Sequence, residues 1–319
     1  MTILILAILS MIAMRYHSRL RFGRGRGISI LIPFQSLDPQ RRENYQWLKR
    51  YWRAQLPGAE IITGRDINAI YRKIPFSKSV AVNDARSQAT GDILAIIDAD
   101  GYVDADSVLL AAKRIRKARK RGHKLWFVPY RRFFRLGQEA ARRVLDSSPK
   151  HPYRFPTPPA PEDVQETGNA QVGHWYGAMA QILPKEAFDT VGGWDVRFRG
   201  WGGEDHAAMR ATDTLYGPHK TLDCQVLHLW HPMRTPDGQT SEWVHWKYRT
   251  WAGQTEHSAN DALSGRYYGA TGHPTRMRSL VDEGLQVRFA DKHKKHCECH
   301  HHHKKHKHCH CHCHCRPSV

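Results

Sequence analysis

The body of this 319-residue chain is poor in cysteine, in acidic residues and in long apolar runs. Only Cys224 lies in the body, because the other six cysteines fall between positions 297 and 315. One cysteine cannot form an internal disulfide, so nothing in the body indicates an oxidising compartment. The apolar run Met1–Met14 is shorter than the roughly 20 residues that span a bilayer. We therefore expect a cytoplasmic globular protein.

The shortage of acids leaves a large positive charge. Asp and Glu total 30 against 49 Lys and Arg, a net charge of +19. Residues 292–319 carry seven basic side chains and one carboxylate, so about +13 of this charge remains on the body. Such a surplus favours polyanionic partners, although an arginine-rich codon bias explains it equally well. The basic run 113–121 is typical of a solvated helix face, with a nucleic-acid or anionic-membrane patch as the alternative.

The first 27 residues form an apolar segment followed by a linker rich in Gly and Arg. No charge occurs before Arg15, and four more arginines follow by Arg26. A peripheral membrane contact and an upstream mis-assigned start codon both account for the apolar segment. If the segment inserted, the arginines would stay inside and keep the domain in the cytoplasm, with membrane association. Residues 23–27 are predicted to be a flexible joint.

Alternating strands and helices then predict the fold class. Short apolar runs at 28–32, 59–63 and 93–97 are typical of buried strands, and helical patterns separate them. This order predicts an α/β, Rossmann-like single domain with a mostly parallel central sheet flanked by helices. Ligands of such sheets bind beyond the carboxyl ends of the strands.

Two acids stand directly after the third predicted strand. Strand alternation would put Asp98 and Asp100 on one side, where both face a divalent cation and its phosphates. Asp104 or Asp106 is better placed to cap the helix that follows. Further along, residues 221–232 are predicted to form a strand with His228 and His231 at its exit. Either histidine fits as an additional metal ligand.

A glycine-rich turn at 200–206 carries the third group of candidate residues. Its glycines allow close backbone approach, and Trp201 offers an apolar ring face with a polar N–H edge that suits a sugar ring. Glu204 and Asp205 add two adjacent carboxylates. The alternative is a turn whose acids simply cap the next helix.

Together these motifs resemble GT-A glycosyltransferases. The runs 30–34, 98–100, 191–195 with Phe198, and 200–205 occur in that family's order, and the chain most resembles the β-1,4-galactosyltransferase and chondroitin-synthase type. The resemblance covers residues 28–235. It implies a GT-A domain over 28–290, with a nucleotide-sugar-binding half at 28–130 and an acceptor half at 170–290.

The resemblance also implies roles for single residues. Asp205 would be the catalytic base, and Mn²⁺ or Mg²⁺ would be held by Asp98, Asp100 and His228, with His231 as the competing ligand. The sugar-binding positions would be Trp194, Trp201, Gly203 and Glu204. The nucleotide-binding positions would be Pro33, Phe34, Asp66, Asn83, Arg86 and Asp98. Two departures from the family are His206, where relatives often have an acid, and 63–66, which lacks their acidic cluster.

The implied activity is transfer of a hexose or N-acetylhexosamine from a UDP-sugar to a glycan, protein or other acceptor hydroxyl, with inversion. The alternative hypothesis is a metal-sequestering or nucleic-acid-binding protein whose transferase-like body is inactive. Residues 291–319 alternate His and Cys with Lys. We expect this tail to be disordered and to bind Zn²⁺, Ni²⁺ or Cu⁺.

Overall fold

A computed structural model describes residues 23–72, 74–166, 179–200, 202–232 and 254–303. Some of the predictions fall outside these ranges. They concern residues 1–22, Trp201 and residues 304–319. No helix within the ranges is long and apolar enough to cross a membrane.

The described strands and helices alternate along the first half of the chain. The strands are β1 (Ile28–Pro33), β2 (Glu60–Gly64), β3 (Ile93–Ile97), β4 (Gly101–Val103), β5 (Phe127–Val128), β6 (Arg132–Leu136), β7 (Val164–Glu166), β8 (Ala180–Pro184), β9 (Lys220–Thr221) and β10 (Gln225–His228). The α-helices are α1 (Pro39–Gln55), α2 (Ile67–Arg72), α3 (Lys78–Gln88), α4 (Ala105–Arg119), α5 (Gln138–Asp146), α6 (Lys185–Thr190), α7 (Glu204–Leu215), α8 (Gln254–Ala270) and α9 (Pro274–His303).

The central sheet has the order β2-β1-β3-β8-β5-β9. β1 pairs in parallel with β2 and β3, and β5 pairs in parallel with β9. β8 lies antiparallel between β3 and β5, so the sheet is mixed. The α/β class is confirmed, and the predicted parallel arrangement holds for the three strands on which it was based. The antiparallel β8 is a long-range pairing that no local pattern indicated.

Local chemistry explains why the first helix forms where it does. The Asp38 carboxylate accepts a hydrogen bond from Arg41 N at 2.9 Å, and Pro39 opens the helix where its missing N–H does no harm. α1 packs Trp47 and Trp52, both fully buried, into the hydrophobic core that also contains β1. Every residue of β1 is buried, which explains its continuous apolar sequence.

A second sheet, β4-β10-β6-β7, was not predicted. β10 runs antiparallel to β4, with His228 opposite Gly101, and parallel to β6. The strand predicted within 221–232 is β10, at Gln225–His228, while Thr221 at the start of that run belongs to β9 in the central sheet. This pairing matters for function, because it brings His228 to the turn that carries Asp100.

Two flanking segments also differ from expectation. Residues 23–27 are not a free joint, because Gly58 N donates to Arg24 O at 2.8 Å and Arg116 Nη2 donates to Arg26 O at 3.0 Å. α9 continues to His303, inside the tail for which disorder was predicted. The tail contains no glycine, and no proline before Pro317, so its composition does not prevent a helix.

Candidate active site

The candidate site lies at the carboxyl ends of β1 and β3, where the α/β fold predicts ligands to bind. Asp98 follows the last residue of β3, and Gly101 N donates to Asp98 O at 3.0 Å to close a turn. The alternation of a strand therefore does not extend through this motif. As a result Asp98 and Asp100 have different partners, which corrects the expectation that both face one cation.

Asp100 lies next to both histidines that were predicted as metal ligands. Its Oδ2 is 3.7 Å from His228 Nε2 and 3.3 Å from His231 Nε2. The ligand atoms of the three residues all lie within 4.8 Å of one another. Leu229 N donates to Asp100 O at 2.8 Å, which holds the chain after β10 against the turn. The two histidines are thus not competing choices, and both belong to the same group.

The chemistry of this group fits a divalent transition metal. Burial lowers the pKa of His228 to about 3, although the nearby Asp100 charge opposes the shift. The imidazole is therefore neutral at physiological pH, the state in which histidine binds metals. Two imidazole nitrogens and one carboxylate suit Mn²⁺, Fe²⁺ or Zn²⁺ better than Mg²⁺, which prefers oxygen ligands.

Lys78, which the sequence analysis missed, connects Asp98 to Asp205. Its Nζ lies 2.7 Å from Asp98 Oδ1 and 2.7 Å from Asp205 Oδ1. Ser77 caps α3 and donates its Oγ proton to Phe198 O at 2.7 Å, which positions this helix start. A lysine in the first turn of a helix opposes the helix dipole. That unfavourable placement is the one sequence signal that could have identified Lys78.

The acids around Lys78 share a buried environment. Burial raises the pKa of Asp205 to about 6 even though Lys78 lowers it, and burial together with the Asp205 charge raises the pKa of Glu204 to about 7. Burial opposes the charge on Lys78, but Asp205 and Asp98 outweigh it and hold the pKa of Lys78 above its ordinary value. Glu204 Oε2 is buried and has no hydrogen-bond partner among the described residues. A buried oxygen of this kind is a ready acceptor for a ligand hydroxyl.

The glycine turn positions both acids in the first turn of α7. Gly203 has φ +89°, and a Cβ there would lie 3.0 Å from Ser264 Cβ and 3.1 Å from Phe198 Cε1. Both its backbone conformation and its packing therefore require glycine. Lys78 Nζ stands 5.6 Å from the Trp194 ring centre, so the lysine contacts this tryptophan as well as Asp205. Trp201 lies outside the described residues.

The placement of Asp66 contradicts a role in nucleotide binding. Its side chain has no exposed surface. Its Oδ2 accepts from Ser77 N at 3.0 Å and forms an ion pair with Arg199 Nη1 at 3.1 Å. The carboxylate is thus fully used in holding α3 and the segment before the glycine turn, and it has no surface left for a base.

Two more predicted nucleotide ligands are also engaged inside the protein. The Asn83 amide donates to Trp194 O at 2.7 Å and accepts from Trp194 N at 2.9 Å. Arg86 forms an ion pair with Asp189 at 2.8 Å. Asn83 thus attaches α3 to the loop at 191–195 and Arg86 attaches it to α6, so both residues position the site. Trp194 itself is 4% exposed, which leaves little of it for contact with a sugar.

Pro33 and Phe34 lie where a nucleotide is expected. Pro33 ends β1, and Phe34 N donates to Gly64 O at 3.0 Å at the carboxyl edge of the sheet. The half-buried Phe34 ring stacks on Tyr45, with ring centres 4.2 Å apart. A role in base stacking fits this position and stays a prediction.

Sequence comparison alone identifies no relatives of this chain. No protein-family model matches it, and no curated protein matches its sequence.

Solved structures, however, match part of the chain. The catalytic domain of Drosophila β1,4-galactosyltransferase 7 in complex with xylobiose matches at 15% identity and a TM-score of 0.30, over 61% of this chain and 63% of that one. A mutant of the same enzyme with manganese, UDP-Gal and xylobiose matches at 14% identity and a TM-score of 0.30, over 69% and 73%. GalNAc-T7 with UDP, GalNAc and Mn²⁺ matches at 13% identity and a TM-score of 0.37, over 81% and 54%.

The match spans less than two thirds of the first of these structures. A β1,4-galactosyltransferase, the type that the sequence motifs resemble, is among the matched structures. At TM-scores below 0.5, the function of this chain has to be argued from the site itself.

Proposed function

We propose that this protein is a metal-dependent glycosyltransferase. It transfers a hexose or N-acetylhexosamine from a UDP-sugar to a hydroxyl of a glycan or protein, with inversion at the anomeric carbon. The observation that carries this proposal is the placement of two groups side by side at the carboxyl edge of the sheet. One is the potential metal-binding group of Asp100, His228 and His231, and the other is the Asp98–Lys78–Asp205 bridge.

The charge of the site supports a cation on the donor side. Among the described residues, the carboxylates at positions 98, 100, 204 and 205 interact with two fixed cations. These are Lys78 and Arg41, whose Nη1 lies 3.7 Å from Asp100 Oδ2. Fully ionised, the group carries a charge of −2, which a divalent ion balances. Asp100, His228 and His231 would hold that ion, and when bound it supplies positive charge to the diphosphate of the donor.

Asp205 is the proposed base on the acceptor side. Its carboxylate takes the proton of the acceptor hydroxyl while that oxygen bonds to the anomeric carbon and the bond to the UDP oxygen breaks. Attack on the face opposite the leaving group inverts the configuration. A pKa of about 6 makes Asp205 a stronger base than a surface aspartate and leaves it ionised at neutral pH.

Lys78 and Glu204 position the groups around that base. The Lys78 ammonium contacts Asp205 and Asp98 at once, so it fixes the base relative to the turn that carries Asp100. Glu204 directs an unpartnered buried oxygen at the same region, and we assign it to a sugar hydroxyl.

The decisive experiment measures UDP release from a panel of UDP-sugars by the full-length protein with Mn²⁺. We expect one sugar to be turned over, and UDP to raise the melting temperature only when Mn²⁺ is present. Asp205→Asn should abolish transfer and keep UDP binding, as measured by calorimetry. Asp146→Asn makes the same chemical change at a side chain that is 67% exposed, and should leave both unchanged.

Two results would contradict the proposal in different ways. Turnover that persists in Asp205→Asn would disprove the base but not the transferase. No UDP release from any sugar, with no thermal response to UDP and Mn²⁺, would disprove the transferase itself.

A further inference from the structure

Arg41 forms a loose ion pair with the carboxylate of the potential metal-binding group. Its Nη1 lies 3.7 Å from Asp100 Oδ2. The same oxygen lies 3.3 Å from His231 Nε2 and 3.7 Å from His228 Nε2. Arg41 belongs to the first turn of α1, so it reaches Asp100 from a different element than the histidines do. The guanidinium therefore shares with the two imidazoles the oxygen that would bind a metal ion.

The hydrogen-bonding capacity of Arg41 is unused within the described part of the chain. Its side chain is 41% exposed, and 3.7 Å is too long for a hydrogen bond to Asp100. Among the described residues its guanidinium pairs with no other carboxylate and donates no hydrogen bond. A guanidinium carries five N–H donors in a planar fork that fits two phosphate oxygens at once. The charge of Asp100 thus holds the side chain, while its fork stays open to an anion.

A second arginine adds positive charge around Asp100. Arg135 lies opposite His228 where β6 pairs in parallel with β10, so the two side chains are on the same face of that sheet. Burial lowers the pKa of His228 most, and the charges of Arg135 and Arg41 also lower it. The other carboxylates of the site lie around Lys78. A divalent ion on Asp100 would therefore leave a surplus of positive charge at this end of the site, which an anionic ligand would balance.

We propose that Arg41 exchanges Asp100 for the diphosphate of the donor when the metal ion and the nucleotide bind. A cation on Asp100 repels the guanidinium and uses the oxygen that the guanidinium contacts, so the ion pair weakens. Arg41 then donates its fork of N–H groups to diphosphate oxygens at the same end of the site. The exchange is non-covalent. It rests on the proposed function, because the UDP-sugar is the ligand that brings a diphosphate to this edge of the sheet.

The exchange gives Arg41 opposite effects on the two ligands. Without nucleotide, the guanidinium repels the cation and competes with it for Asp100, so Arg41 lowers the affinity for Mn²⁺. With nucleotide, the guanidinium adds a contact to the diphosphate, so Arg41 raises the affinity for UDP. Arg41 therefore couples the binding of the two ligands. A side chain that only held the fold around Asp100 would change both affinities in the same direction.

Binding titrations on the full-length protein test the exchange. Electron paramagnetic resonance measures Mn²⁺ binding without nucleotide, and calorimetry measures the binding of UDP, uridine and inorganic pyrophosphate with Mn²⁺ present. We expect Arg41→Gln to bind Mn²⁺ about threefold more tightly in 0.15 M salt, because a screened repulsion is removed. The same variant should bind UDP and pyrophosphate roughly 10- to 100-fold more weakly, because a charge-assisted contact is lost. Its affinity for uridine, which carries no phosphate, should be unchanged.

Two further variants separate charge from geometry. Arg42→Gln is the matched control, because it removes the same charge from the next position of α1, where the exposed side chain pairs with no described carboxylate. It should leave all four affinities within about twofold of the wild type. Arg41→Lys keeps the charge without the planar fork, so it should bind Mn²⁺ like the wild type and recover part of the affinity for UDP. Circular dichroism confirms that each variant is folded.

The possible results separate this inference from the transferase proposal. Equal affinity of Arg41→Gln and the wild type for UDP, or a joint loss of Mn²⁺ and UDP affinity, would overturn the exchange and leave the transferase proposal intact. Uridine binding that weakens by the same factor as UDP binding would place Arg41 at the nucleoside and would also overturn the exchange. If the wild type binds pyrophosphate through Arg41 but does not bind UDP, the exchange stands and the transferase proposal fails.

Discussion

The ion pairs of Lys78 make a quantitative prediction about stability. Its ammonium touches two buried carboxylates, and its own side chain is 13% exposed. Lys78→Met keeps most of the side-chain volume and removes the charge. Asp98 and Asp205 then remain buried without their common partner.

The expected loss follows from the geometry. At 2.7 Å and an effective dielectric constant of about 20, each pair is worth about 6 kcal/mol before desolvation is subtracted. The desolvation of the ammonium offsets much of this gain. Breaking a buried ion pair by removing one partner usually costs about 3–5 kcal/mol. We therefore expect the free energy of unfolding of Lys78→Met to fall by about 3–5 kcal/mol at pH 8.

The loss of stability caused by Lys78→Met should be smaller at acidic pH. The folded-state pKa values of Asp205, about 6, and Glu204, about 7, exceed their ordinary values of 3.8 and 4.5. The folded protein therefore binds more protons than the unfolded chain between about pH 4 and 7, and stability falls as the pH rises through that window. Without Lys78 these pKa values rise further. One extra proton held over about two pH units stabilises the variant by about 2.7 kcal/mol, so the deficit near pH 5.5 should be about 0.3–2.3 kcal/mol.

Urea denaturation followed by tryptophan fluorescence at pH 8 and 5.5, in EDTA, measures both values. Lys185→Met is the matched control, because Lys185 pairs with Asp189 at 2.9 Å on the surface, with side chains 47% and 46% exposed. Its cost should stay below about 1 kcal/mol at either pH. The reasoning is refuted if Lys78→Met costs no more than this control, or if its cost is the same at both pH values.

Three further predictions concern the site. If Asp205 is the base, log kcat/KM should rise with unit slope to about pH 6 and then level, and a flat profile from pH 4 to 8 would exclude it. His231→Ala removes one of two imidazoles and should weaken Mn²⁺ binding more than about 10-fold in an electron paramagnetic resonance titration, whereas the exposed His151→Ala should not. Gly203→Ala should destabilise by about 1–3 kcal/mol through strain and contact, and should exceed Gly122→Ala, which shares a positive φ but has nothing within 4 Å. Equal losses for the two glycines, measured in urea, would show that packing around 203 is irrelevant.

Local patterns predicted the local structure correctly. Of the two acids proposed to cap the helix after β4, Asp104 caps α4, because a cap depends on residues within one turn. β1 and β3 were predicted within one residue, since continuous apolar runs occur where both faces of a strand are covered. The parallel pairing of β2, β1 and β3 in the central sheet could therefore be predicted from the sequence.

Patterns within the chain could not predict which polar groups are used internally. Asp66, Asn83 and Arg86 were selected because polar residues near strand ends often bind ligands. Their partners Arg199, Trp194 and Asp189 lie 103 to 133 positions away in the sequence, so no local signal showed these long-range contacts. The same limit concealed Lys78, whose partner Asp205 is 127 positions away.

The sequence by itself determined the residue types of the site: two acids after β3, two acids after a glycine turn, and two histidines after a strand. Side-chain chemistry and local backbone preference suffice for that much. Only the tertiary structure decided which of these side chains contact one another. The pairing of β10 with β4 gives both histidines to Asp100, while the start of α3 places Lys78 between Asp98 and Asp205. Grouping of this kind depends on contacts between distant segments, which form only when the sheets assemble around a common core.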